Sequence, residues 1–287
     1  MEQKIILITG ANSGIGKAAA QQLVQKGNHT ILACRNEEKG LAAVKEINDT
    51  TGMDNLELMI MDMSLQSSIQ ELAGNFEEKF DHLDVIIHNA AIFDISQKEA
   101  SFTAEGVESI WATNHIGPVL LTRLLANSLE KSDHGRIITI ASKGLMAKPF
   151  LKVDLVDPEF KARSYSVEHA YYQSKLAQIM FTYWLADQYQ DKKITANSIY
   201  VTAVQVDIEK YPDIPELLKK AYALKSKLSL TPEEMAQVYT HLATAPELEH
   251  VSGTVFDEKL RSVRTSKYSR DFRNIEEVMR LTMDYLI

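Results

Sequence analysis

Short strand-like runs, the first of them wholly apolar, alternate with longer stretches of helical periodicity along nearly the whole chain, and this rotation constrains the fold more than any single motif. The first run, Ile5-Ile6-Leu7-Ile8, offers no polar side chain to water, as expected of a strand covered on both faces. Further strands are predicted at 30–33, 56–61, 85–88, 137–141, 197–201 and 254–256. Helical patterns lie between them at 17–25, 38–50, 67–79, 107–128, 168–189 and 232–245. Each strand-to-strand step through a helix is a crossover, so the strands are expected to run parallel, with helices on both faces. The result is a doubly wound α/β fold. No Pro-, Gly- or Ser-rich divider and no repeat interrupts the 287 residues, so one domain over 1–287 is expected. The segment 205–230, carrying Pro212 and Pro215, breaks the rotation and is expected to form a flap over a site.

Charge narrows the partners. Lys and Arg total 31 against 39 Asp and Glu, a net charge of −8 that a polyphosphate surface would repel, so nucleic acid is not expected. The one cysteine, Cys34, cannot form an internal disulfide and sits in an apolar run, where a thiol is core. Met1-Glu2-Gln3-Lys4 runs straight into the first strand, and the apolar run near 179–186 is too short for a bilayer; neither a leader nor a membrane partner is expected, and the protein is read as cytoplasmic.

The first apolar run leads into Thr9-Gly10-Ala11-Asn12-Ser13-Gly14-Ile15-Gly16 and then a helix. Unpaired N–H groups at a helix start attract phosphate when no side chain blocks the approach, and Gly10, Gly14 and Gly16 clear that approach for a dinucleotide. A fold that binds NAD usually ends its second strand with a carboxylate for the ribose 2′-hydroxyl. Here that strand ends Ala33-Cys34-Arg35, and a guanidinium there suits a 2′-phosphate, so NADP(H) is expected ahead of NAD(H).

Tyr171 and Lys175 stand four apart in a helical pattern and so share a face. An ammonium beside a phenol favours the phenolate and is expected to lower its pKa toward the working pH, as a general acid/base for alcohol–ketone interconversion requires. Tyr172, three from Lys175, is a rival for the role. His88, His115 and His169 have no metal-ligand spacing, and no metal is expected.

Taken in order, the glycine turn, His88-Asn89-Ala90-Ala91, Asn114, Ser142 and Tyr171-x-x-x-Lys175 resemble the short-chain dehydrogenase/reductase family over almost the whole chain. Ala33-Cys34-Arg35, Thr113-Asn114-His115-Ile116-Gly117, the stretch Ala170 to Ala177, and the long Ser142 to Tyr171 interval with its Asp154-Leu155 are most similar to the retinol dehydrogenase-like branch. The resemblance implies a Rossmann fold, a small alcohol or carbonyl substrate and a homodimer or homotetramer. It implies that Tyr171 exchanges the proton and that Lys175 bonds the nicotinamide ribose. Ser142 would hold the substrate oxygen, and Asn114 a water linking Lys175 to solvent. Asn12, Ser13 and Ile15 of the glycine turn, Asp62 and Met63 after the third strand, and Asn89 and Ala90 after the fourth would complete the cofactor cleft. The register of the resemblance favours Tyr171 over Tyr172.

After the sixth strand, where the family commonly has Pro-Gly, this chain has Val201-Thr202, and Val206 stands near an expected Thr contact to the carboxamide. Without the fixed φ of proline and the freedom of glycine, a reshaped turn and weaker nicotinamide positioning are expected. A dinucleotide-binding sensor or scaffold with little catalysis is the alternative; the intact Asn114, Ser142, Tyr171 and Lys175 set argues for an enzyme.

Overall fold

A computed structural model describes residues 3–205 and 229–286. The seven apolar runs form strands β1 (Ile5–Thr9), β2 (His29–Cys34), β3 (Leu56–Ile60), β4 (Val85–His88), β5 (Gly135–Ser142), β6 (Ile194–Val201) and β7 (Thr254–Phe256). They pair in parallel as one sheet of order β3-β2-β1-β4-β5-β6-β7. Because side chains alternate across a strand, Leu7, Ile31, Ile86 and Ile137 enter one core layer. Their neighbours Ile8, Leu32, Ile87 and Ile138 enter the other. That two-sided burial is the reason the strands are mostly apolar instead of alternating.

Helices α1 (Gly14–Gln25), α2 (Glu37–Thr51) and, later, Pro232–Thr244 cover one face. The other face is covered by α3 (Gln66–Lys79), a broken segment of α4 (Ser109–Trp111), α5 (Gly117–Leu124) and α6 (Ala126–Glu130), and α7 (Val167–Gln188). With Pro232–Thr244 numbered α8, the C-terminal helix α9 (Phe272–Met283) packs Ile275, Val278 and Met279 onto that second layer. No helix of the described residues is long and apolar enough to cross a membrane.

Two departures from the sequence expectation bear on the site. The helix expected over 107–128 is interrupted by a π-helical turn, Ala112–Ile116. Pro118 lacks the N–H that would serve the Asn114 carbonyl, and a wider turn is one way a helix accommodates that loss. The flap expected over 205–230 lies, from 206 to 228, outside the described residues. Its flanks are stitched together, Gln205 N donating to Leu230 O (2.9 Å) and Leu230 N to Ala203 O (3.2 Å). The strand order reverses between β1 and β4, and a parallel sheet opens a crevice at the carboxyl ends of its strands at such a point.

Candidate active site

At that crevice the ends of β1 and β4 are laced together. Asn89 Nδ2 donates to the carbonyls of Thr9 (2.9 Å) and Gly10 (3.1 Å), and Ala90 N donates to Thr9 Oγ1 (2.9 Å). Gly10 has φ +65°, and a Cβ there would stand 2.8 Å from Ala90 Cα. A Cβ on Gly16 would meet Asn89 Nδ2 at 2.5 Å and Gly10 O at 2.9 Å. Backbone therefore lies where side chains would otherwise be. The Ser13 side chain does not cap α1, and the first turn holds no acidic residue, so the helix start keeps donors and positive potential for an anion.

A cleft of about 590 Å³ opens over this turn. Of the cofactor-side residues named from sequence, Gly10, Asn12, Ser13, Ile15, Gly16, Arg35, Asp62, Met63, Asn89 and Ala90 line it; Gly14, Tyr171 and Lys175 do not. Thr113, from the stretch Thr113 to Gly117, also lines it, as do Ser101 and Ser109, which belong to no motif and for which sequence reasoning had no signal. Arg35 stands at the rim with its side chain 73% exposed, in a 3.5 Å ion pair with Asp62. The other oxygen of Asp62 accepts from Ser64 N (2.9 Å) and Ser64 Oγ (2.7 Å), which fixes the carboxylate while most of the guanidinium stays open to the cleft mouth. Cys34 is buried, its thiol pushed up by burial, with Sγ 3.5 Å from Asn36 O. A dinucleotide fits this set: the glycines that leave the backbone bare, an open helix start and a cation at the end of β2.

On the other side of β4, α7 begins where Ser166 Oγ accepts from His169 N (3.3 Å). Its first turns bring Tyr171 beside Ser142, the last residue of β5, near enough for the Ser142 hydroxyl to act on the phenol. The Tyr171 ring packs on Phe93 with centroids 4.5 Å apart. Lys175 is 1% exposed, its Nζ 5.8 Å from the centroid of the Tyr171 ring. Tyr172 turns elsewhere, lying over Gly144, where a Cβ would collide with its ring, and under the ammonium of Lys148 at 4.9 Å.

The electrostatics correct one expectation. Burial pushes the Tyr171 phenol up to about 12, against the opposing effect of the nearby Ser142 hydroxyl, instead of the ammonium pulling it down. Burial also pulls Lys175 down to about 7. Its Nζ donates to Ile140 O (2.7 Å) and Gln178 Oε1 (3.1 Å), not to the phenol. Desolvation of both groups in one apolar pocket outweighs their mutual influence.

Lys175 consequently costs the fold stability. The cost is full below its folded value near 7 and disappears above its ordinary 10.5, where neither folded nor unfolded chain holds the proton. Lys175→Met is therefore expected to raise Tm, most at or below pH 7 and progressively less toward pH 10. Thermal melts across that window test this; a gain independent of pH would contradict it.

Asn114 is committed to holding structure. Its Oδ1 accepts from Ile92 N (2.8 Å), and its Nδ2 donates to Ile92 O (3.1 Å) and Ser174 Oγ (3.1 Å). Ser174 Oγ in turn donates to Tyr171 O (2.7 Å), so the loop after β4 is tied to α7 beside the phenol. The Asn114 side chain makes no hydrogen bond to Lys175, but its main-chain carbonyl lacks the usual donor four residues on, because that residue is Pro118.

The turn after β6 is built without a left-handed residue at Val201 or Thr202; positive φ at non-glycine positions is confined, among the described residues, to Phe160 and Leu260. Val206 lies outside the described residues. His88 and His115 are fully buried and paired with Thr122 (2.7 Å) and Thr282 (2.8 Å), and burial drops both to about 3, so each ring is neutral. His169 packs edge-on against Phe160.

Comparison with known proteins agrees with this geometry. The short chain dehydrogenase family matches residues 4–152. Human retinol dehydrogenase 13 is 34% identical over 257 residues, covering 88% of this chain and 76% of its own. Among solved structures, an uncharacterized protein from Mycobacterium paratuberculosis superposes with TM-score 0.76 at 24% identity, over 99% of this chain and 93% of its own. A protein from Escherichia coli CFT073 complexed with NADPH superposes with TM-score 0.68 at 25% identity, over 90% and 98%. A third of its residues shared over nearly nine-tenths of its length decides the matter: the chain belongs to the short-chain dehydrogenase/reductase family, on its retinol dehydrogenase-like branch.

Proposed function

We propose that the protein is an NADP(H)-dependent oxidoreductase that interconverts a carbonyl and an alcohol on a small, moderately apolar substrate. The observation that carries this proposal is the juxtaposition of Ser142 and Tyr171 with the buried Lys175 one helical turn along, beside a glycine-lined cleft. Ser142 and Tyr171 together offer two hydroxyls to one substrate oxygen. In reduction Tyr171 donates its proton to that oxygen, and in oxidation it takes the proton back. Lys175 stabilises the phenolate and bonds the ribose hydroxyls. Asn114 holds a water that links Lys175 to solvent. When bound, the nicotinamide supplies or accepts the hydride.

NADP(H) over NAD(H) rests on Arg35, the exposed cation at the end of β2 where no carboxylate stands. The complex of a 25% identical protein with NADPH supports it. Calorimetric titration is expected to give a lower Kd for NADPH than for NADH. Arg35→Ala should weaken NADPH by about tenfold, the worth of a charge-assisted hydrogen bond, and leave NADH unchanged. Equal constants in the unsubstituted protein would end the NADP(H) proposal. A screen of aldehydes, ketones and alcohols followed by NADPH absorbance tests the reaction class, and no turnover across it would reject the enzyme in favour of a binding protein.

A further inference from the structure

The Lys175 ammonium has two hydrogen-bond acceptors, and only one of them is backbone. Ile140 O, at 2.7 Å, belongs to β5 and is fixed by the sheet. Gln178 Oε1, at 3.1 Å, comes from the side chain three residues further along α7. Among the described residues no carboxylate acts on Lys175, and burial is the influence that moves it from its ordinary value. The neighbouring titratable group is Tyr171, which the Tyr172 phenol pushes further up and which in turn acts on the Tyr239 phenol of α8.

Gln178 is itself 0% exposed, and its Nε2 is a buried donor without a partner among the described residues. An ammonium has only donors, so the amide must present its oxygen to Lys175, and its nitrogen is left facing apolar surroundings. Packing alone would favour a leucine here, which would leave no orphaned N–H. The helix around Gln178 is fixed independently: its backbone carbonyl accepts from Thr182 Oγ1 (2.9 Å), and Thr182 pairs with Thr139 of β5 at 2.6 Å. Among the described residues the amide therefore has its one partner in Lys175.

We infer that Gln178 is a positioning residue for the reaction: its Oε1 holds the Lys175 ammonium one turn along from Tyr171 and supplies the acceptor that a carboxylate would otherwise provide. A carboxylate would neutralise the ammonium and cancel its field at the phenol. A neutral amide holds the cation and leaves its charge available to stabilise the phenolate. The role rests on the proposed function, in which Tyr171 moves the proton.

The test uses Gln178→Leu, which removes the acceptor, and the near-isosteric Gln178→Glu, which charges it. The full chain is labelled with [ε-13C]lysine, and the Lys175 signal is assigned by its loss in Lys175→Met. The Lys175 titration midpoint is expected to fall by about one pH unit in Gln178→Leu and to rise in Gln178→Glu. In steady-state kinetics both variants should lose about tenfold in kcat, the worth of one hydrogen bond to a charged group, with substrate KM and NADPH Kd within about twofold. In both, the inflection belonging to Tyr171 should move to higher pH. A packing defect would give neither the opposite movement of the Lys175 midpoints nor the common movement of the Tyr171 inflection. Midpoints that coincide in all three proteins, or a kcat profile that does not shift, overturn the role. Moved midpoints in a protein that turns over no alcohol or carbonyl reject the oxidoreductase proposal and leave the Gln178–Lys175 contact standing.

Discussion

Tyr171→Phe is expected to lower kcat by about a thousandfold, within the range that a positioned general acid or base contributes. The substitution removes one oxygen and keeps the ring. Packing against Phe93 at 4.5 Å and the edge contact to Tyr172 at 5.3 Å are preserved, so α7 keeps its place. Because the glycine turn and Arg35 are untouched, NADPH should bind with nearly its original Kd. Burial already holds the phenol near 12, so the proton is retained through the neutral range and donated only when charge develops on the substrate oxygen. Kinetics by NADPH absorbance, paired with calorimetric titration, separates the two quantities. Full activity with phenylalanine would remove Tyr171 from the mechanism, and loss of binding in step with activity would mean that the ring serves the cofactor instead.

Gly10→Ala should strike the other half of the site. A left-handed conformation costs a non-glycine residue about 1–2 kcal/mol. At Gly10, with φ +65°, the new Cβ also meets the Ala90 main chain at 2.8 Å, and a main chain laced to Thr9 cannot yield as a flexible side chain would. The ends of β1 and β4 must separate, displacing the N–H groups at the start of α1. A clear fall in Tm is expected, together with at least about tenfold weaker NADPH binding, as for the loss of one charge-assisted hydrogen bond. Gly14→Ala is the internal control. Its φ of +56° carries similar strain, but nothing lies within 4 Å of the added carbon. Equal losses in the two variants would show that backbone strain alone, and not the β1–β4 contact, keeps glycine at position 10.

Much of this architecture is legible in the order of residues. β4 and β7 fall on the residues predicted for them, 85–88 and 254–256, because a strand buried on both faces is mostly apolar and its limits show in composition. The glycine turn is legible because its context, strand before and helix after, is local. Arg35 can be placed at the rim of the cleft because it follows directly on a predicted strand. The break at 112–116 is not legible in the same way: Pro118 is visible, but the periodicity on either side of it continues as though the helix were whole.

What the sequence alone determined is the order of elements, the parallel sheet and the face of α7 that carries Tyr171 and Lys175, since all of these follow from periodicities within a few residues. Tertiary structure decided the rest. Asn89 bonds Thr9 and Gly10 across 80 and 79 residues, Lys175 finds Ile140 across 35, and Asn114 meets Ser174 across 60. No local pattern encodes which groups meet over such distances. The direction of the Tyr171 shift likewise depends on how much water the assembled pocket excludes, and periodicity reports which side of a helix is buried, never how dry its surroundings become.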